Sequence, residues 1–215
     1  MDLARPLSVI TPTVDADVLG VLAGAEASFT GRQVHQIAGR PSERGVRNAL
    51  HRLCAQGIVG RERVGSADRY TLNRAHLAAP HIEALAGLRS ELLRRISAEL
   101  ARWSVAPVFS ALFGSAARSD MDPDSDLDLI VVRDDAVDVD DPAWRDQLDS
   151  LARDVTAWTG NDTRLLEFGA REVRAGLAAG DDVLLAARDE GIVLHGPLTY
   201  LSRARLRKAG GRRGQ

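Results

Sequence analysis

Two carboxylates one residue apart, Asp126 and Asp128, enclose Leu127 and run into Leu129-Ile130-Val131-Val132. A β-branched run of this kind reads as a strand. Strand residues alternate faces, so both carboxylates project from one side. Side by side they repel each other unless a cation sits between them. Hard oxygen ligands suit Mg²⁺, which commonly takes one or two carboxylates and completes its shell with substrate phosphates. Just upstream, Phe113-Gly114-Ser115 offers a tight turn whose backbone N–H groups and hydroxyl suit a triphosphate. Together these residues point to metal-assisted nucleotidyl transfer.

A calcium loop is the first competing reading, because Asp120, Asp122, Asp124, Asp126 and Asp128 alternate. An EF-hand loop needs Gly at its sixth position and Glu at its twelfth. Counted from Asp120 these are Ser125 and Val131, and counted from Asp122 they are Leu127 and Arg133, so neither register fits. The second competing reading is a solvated acidic loop before an edge strand. It does not explain a carboxylate at 128, inside an apolar run, where an unpaired charge is costly.

The elements around these residues read as an α/β unit over 104–197. A strand is expected at 108–113, then the Gly-Ser turn with a short helix, and a strand at 126–132. After an acidic loop come a helix at 142–158, a strand at 163–168, helices at 171–179 and 182–190, and a last strand at 192–195. From residue 202 the chain carries Arg203, Arg205, Arg207, Lys208, Arg212 and Arg213 with no acid, and Gly210, Gly211 and Gly214 interrupt it. Residues 198–215 therefore read as a basic, flexible tail.

Upstream, residues 8–75 give a different pattern. Helical spacing runs through Val18, Leu19 and Leu22. Thr30 can cap a second helix to Ala38, and Ser42 a third that stops at Gly57. Two strand-like runs follow, 58–64 and 69–72. In the third helix Val46, Leu50 and Leu53 make an inward stripe, while Arg44, Arg47, Asn48, His51 and Arg52 face outward. Arg suits guanine and Asn suits adenine in the major groove. Arg61, Arg63 and Arg69 fall in or near the hairpin, within reach of phosphates. Residues 1–75 hold ten Arg against seven Asp and Glu, although the whole chain of 215 residues has a net charge of −2. Contact with DNA or RNA is one reading of this face. A protein-interaction module with a solvated Arg face is the other. Residues 76–103 read as one amphipathic linker helix, through Ile82, Leu85, Leu88, Leu92, Ile96 and Leu100. It packs within the chain or against a second copy in a homodimer.

Cys54 is the sole cysteine, which excludes an intrachain disulfide and a multi-cysteine zinc site. No apolar run approaches the ~18 residues that a membrane span needs. The N-terminus lacks a signal-peptide pattern. The expected location is the cytoplasm.

The run Gly114-Ser115-Ala116-Ala117-Arg118, with ten residues (116 to 125) between Ser115 and Asp126-Leu127-Asp128, resembles the DNA polymerase β-like nucleotidyltransferase superfamily. The likeness is to its minimal, antibiotic-modifying and toxin-type branches. Residues 30–34, 45–53 and 57–59 resemble the winged helix-turn-helix of bacterial regulators. The resemblance implies an α+β fold of two domains: an N-terminal winged helix, a long linker helix and a C-terminal mixed-sheet α/β core. It implies that Asp126, Asp128 and a third carboxylate, Glu167 in Leu166-Glu167-Phe168, hold one or two Mg²⁺ ions. Glu167 would alternatively act as general base, and Asp162 is the weaker candidate for the third acid. Gly114, Ser115, Arg118 and Ser125 would hold the NTP. The implied reaction moves an NMP from an NTP to an acceptor hydroxyl on RNA, protein or a small molecule. The alternatives are a DNA-binding regulator whose nucleotidyltransferase-like domain senses nucleotide, and, in biological role, a toxin–antitoxin component.

Overall fold

The computed structural model describes residues 1–202. The chain divides into two compact units, one of Asp2–Arg89 and one of Ser90 onward together with Met1.

In the first unit a short 3₁₀ turn (Pro6–Val9) precedes α1 (Val14–Ala23), β1 (Phe29–Thr30), α2 (Gly31–Ala38), α3 (Glu43–Ala55), β2 (Val59–Val64), β3 (Ala67–Leu72) and α4 (Ala79–Ala86). The helix starts follow capping chemistry. Thr30 Oγ1 accepts from the Gln33 N–H at 3.2 Å, and Gln33 Oε1 accepts from the Thr30 N–H at 2.8 Å, a reciprocal capping box. Ser42 Oγ accepts from the Gly45 N–H and starts α3. Val18, Leu22, Val34, Val46, Ala49 and Leu50 are fully buried in one core, against which Ile82 and Leu85 of α4 pack. The three strands form an antiparallel sheet in the order β1-β3-β2. β1 was not expected, because its two residues are too short for any alternation to show.

The stretch read as one linker helix is two. α4 ends at Gly87, whose N–H bonds to the Glu83 carbonyl, and α5 (Leu88–Leu100) follows. Glycine costs roughly 1 kcal/mol relative to alanine within a helix, which favours the break there. α4 belongs to the first unit, whereas α5 lies almost wholly in the second, where Leu92, Ile96 and Leu100 are buried.

The second unit continues with β4 (Phe109–Phe113), α6 (Ser115–Arg118), β5 (Leu127–Arg133), α7 (Pro142–Thr159), β6 (Thr163–Gly169), α8 (Ala170–Ala179), α9 (Asp182–Glu190) and β7 (Ile192–His195). The sheet order is β6-β5-β4-β7. β5 runs parallel to β6, and β4 antiparallel to both β5 and β7, so the sheet is mixed. One face carries Phe109, Ala111, Phe113, Ile130 and Val132 and is covered by Val173 and Leu177 of α8 and Leu184 and Ala187 of α9. On α7 the buried residues Trp144, Leu148, Leu151 and Val155 recur at helical spacing. Part of the expected tail is core. Leu201 is buried, and the Tyr200 ring stacks on Phe109 at 5.0 Å. The basic residues from 203 on lie outside the described residues. No helix of the described residues is long and apolar enough to cross a membrane.

Candidate functional site

Parity on β5 settles where the carboxylates go. Residues 126, 128, 130 and 132 share a face. Ile130 and Val132 lie under α8 and α9, while Asp128 and Asp126 sit at the start of the strand, where both are only partly buried. Asp128 is registered against Phe113 of β4. Gly114, the next residue, has φ +72°, a conformation that L side chains rarely adopt. A Cβ there would stand 2.9 Å from Asp128 Oδ2. Glycine at 114 thus lets the turn backbone close onto the carboxylate.

Burial pushes the Asp128 carboxyl above the usual carboxylate range; Arg164 opposes the shift and Asp126 adds to it. Among the described residues no N–H or O–H donates to the Asp128 carboxylate, whereas Asp126 Oδ2 lies 2.6 Å from the Arg164 guanidinium. A partly desolvated carboxylate without a donor, beside a second one, is the donor set a hard cation would satisfy. No group of three or more His, Cys, Asp or Glu able to hold a metal ion occurs among the described residues. The fit is therefore to an ion whose shell is completed from outside the protein.

Glu167 is not brought to the pair, which corrects the expected third carboxylate. β6 registers Glu167 against Val131 and Arg164 against Asp128, so Glu167 leaves the sheet on the opposite face. There its oxygens accept from Arg133 Nε at 3.0 Å, Trp144 Nε1 at 2.9 Å and Arg145 at 3.0 Å. Glu167 fastens α7 to the sheet and has no oxygen facing Asp126 or Asp128. Flanking hydrophobics alone suggested it, and that pattern marks any strand carboxylate. Asp162 precedes β6 and its carbonyl accepts from the Leu127 N–H at 2.8 Å.

Two of the remaining expected phosphate contacts, Arg118 and Ser125, have side-chain partners within the protein. Arg118 pairs with Asp120 at 3.1 Å and with Glu190 of α9 at 2.7 Å. Ser125 Oγ donates to Asp122 Oδ1 and accepts from the Asp122 N–H, which closes the acidic loop on itself. Ser115 stands half-buried at the first position of α6.

One positioning residue escaped sequence reasoning. Asn161, 2 % exposed, donates through Nδ2 to the carbonyls of Pro123 at 3.0 Å and Ser125 at 2.9 Å. It ties the loop to the entrance of β6 and so sets where Asp126 begins. Gly160-Asn161-Asp162 has the composition of a turn, and burial is what the sequence does not show.

On the first unit Arg44, Arg47, Asn48 and His51 form an exposed row on α3. Other expected nucleic-acid contacts are engaged. Arg52 pairs with Asp15 at 2.6 Å, and Arg61 and Arg63 share Asp68 at 2.7 and 3.1 Å. Arg69 donates to the Ser28 hydroxyl and carbonyl, both at 2.6 Å, so it braces the sheet.

The sequence over residues 93–171 matches the family described as nucleotidyltransferase domain. The chain thus carries such a domain, which contains β4, the Gly-Ser turn, both aspartates and β6. No curated protein matches the chain. Among solved structures, a toxin–antitoxin with AMP-PNP is 19% identical, with 54% of this chain and 83% of that chain covered and a TM-score of 0.36. A mutant of the toxin–antitoxin MntA-HpeT is 17% identical over the same shares, with a TM-score of 0.38. At these TM-scores neither likeness bears on function.

Proposed function

We propose that the second unit is a polymerase β-like, metal-dependent enzyme that transfers an NMP from an NTP to an acceptor hydroxyl on RNA, protein or a small molecule. The observation that carries this is Asp128: a carboxylate to which no described residue donates, beside Asp126 and against the Gly114 turn, inside a nucleotidyltransferase domain. Asp126 and Asp128 would hold Mg²⁺. When bound, the ion would neutralise charge developing on the phosphates and lower the pKa of the attacking hydroxyl. Gly114 and Ser115 would lie along the triphosphate. Arg118 reaches it by giving up its pairs with Asp120 and Glu190.

We further propose that residues 2–89 include a winged helix. The order α1-α2-α3 followed by the β2–β3 hairpin supports this reading, and the exposed row Arg44, Arg47, Asn48 and His51 supports contact with bases.

The decisive experiment incubates the protein with each α-labelled NTP, Mg²⁺ and either total RNA or protein lysate, beside the Asp126→Asn/Asp128→Asn variant. Small-molecule products are resolved in parallel. Label transferred by wild type and not by the variant establishes the activity. Label in no product, macromolecular or small, favours the second reading, a DNA-binding regulator that senses nucleotide. That reading draws on Arg164, which occupies Asp126 where a third acid would have aided catalysis.

A further inference from the structure

The face that carries Asp126 and Asp128 already contains a cation. Arg164 stands on β6 in register with Asp128, and register partners on parallel strands project from the same face. Neighbouring strands lie only about 4.8 Å apart. A carboxylate at 164 would therefore be well placed to share an ion with the aspartate pair, and a guanidinium stands there instead. Its terminal nitrogen lies 2.6 Å from Asp126 Oδ2.

The Arg164 side chain is 68% exposed and that of Asp126 26%. An ion pair so open to water adds little stability and can be exchanged for another partner. Arg164 is exposed at the open end of the sheet, away from the residues that α8 and α9 cover. Charge then decides its behaviour. With no ion present, two carboxylates face one guanidinium. With a divalent ion on the carboxylates, the guanidinium meets a like charge and loses its partner. A triphosphate brings several negative oxygens, which the planar donor fork of arginine suits.

We propose that Arg164 is an exchanging phosphate ligand, which neutralises Asp126 in the free protein and passes to the triphosphate in the loaded one, so that the site takes one divalent ion and not two. The proposal rests on the nucleotidyl-transfer reading of the same site. It assigns Arg164 to binding, with its guanidinium competing against the ion when nucleotide is absent and holding phosphate when nucleotide is present.

Mn²⁺ titration followed by electron paramagnetic resonance tests this without turnover. The proteins are wild type, Arg164→Gln, Arg164→Asp and Asp126→Asn/Asp128→Asn. Wild type is expected to bind one Mn²⁺ per chain. Arg164→Gln should bind Mn²⁺ up to about fivefold more tightly without nucleotide, the equivalent of an exposed ion pair removed. The same variant should bind the best of four non-hydrolysable NTP analogues at least about tenfold more weakly with Mn²⁺ present, the loss of a charged hydrogen bond. Arg164→Asp should admit a second Mn²⁺. Two ions on wild type overturn the proposal. So does an Arg164→Gln protein with unchanged affinity for both Mn²⁺ and nucleotide. If wild type binds Mn²⁺ and the double-Asn variant does not, an indifferent Arg164→Gln removes only the role of Arg164. If wild type binds Mn²⁺ neither alone nor together with any of the four NTP analogues, the nucleotidyl-transfer reading falls as well.

Discussion

The Asp128 carboxyl stands half-buried at the start of β5, in register with Phe113 and beside Asp126. Burial holds this carboxyl above the ordinary range, against the pull of Arg164 and with a smaller push from Asp126, so ionising it is expected to cost folding free energy. The sign follows from linkage. The stability contributed by the protonated carboxyl is fully present below its unfolded pKa, near ~3.9. That contribution is lost as pH rises through the raised folded value. Asp128→Asn is therefore expected to melt at a higher temperature than wild type at pH 7.5 without metal, the gap narrowing towards pH 3.5. A variant no more stable than wild type at pH 7.5 would show that the site is not strained. Asn161 acts in the opposite sense. Asn161→Ala leaves the Pro123 and Ser125 carbonyls without their donor, and should cost about 1–3 kcal/mol in urea unfolding. At this scale the sequence shows Asp126, Asp128 and Gly114, because they are neighbours along the chain. It does not show Glu167 turned away or Arg164 turned in, since cross-strand parity depends on register, and register exists only in the folded pair.

Elements of the second unit fall close to their sequence-read bounds because each carries its own punctuation. Asp141 and Pro142 open α7, with Asp141 accepting from the Trp144 N–H, and Gly160 in the left-handed region ends it. The linker stretch misled because its apolar period continues through Gly87 although the helix does not. α5 offers a test of local electrostatics. Hydrogen bonds from Arg94 and Arg95 pull the Glu91 carboxyl down to about 2. A depressed carboxylate contributes stability that is present above its unfolded value and lost as pH falls through the folded one. Glu91→Gln should thus melt slightly below wild type at pH 7, and the gap should close as pH falls through that window. It should also shrink in 1 M salt, because the pairs are exposed. Melting curves at two pH values and two salt concentrations measure both effects.

At the scale of the whole molecule, the proposed activities call on separate residues. Arg47→Ala is expected to weaken binding to a selected duplex by about 1–3 kcal/mol and to leave nucleotidyl labelling unchanged. Asp126→Asn/Asp128→Asn should do the reverse. Fluorescence anisotropy on selected and random duplexes, run beside the labelling assay, distinguishes base reading from phosphate contact by whether both duplexes lose equally. In the sheet order β6-β5-β4-β7, β7 is the last of the described strands to be made, yet it pairs with β4, the first strand of its sheet. During synthesis on the ribosome, β4 must wait with one row of backbone groups unpaired until His195 has emerged, and α8 and α9 must arrive before the Ile130 face is covered. A nascent chain halted after residue 171 would display every residue of the matched domain and still present a sticky, open edge to chaperones.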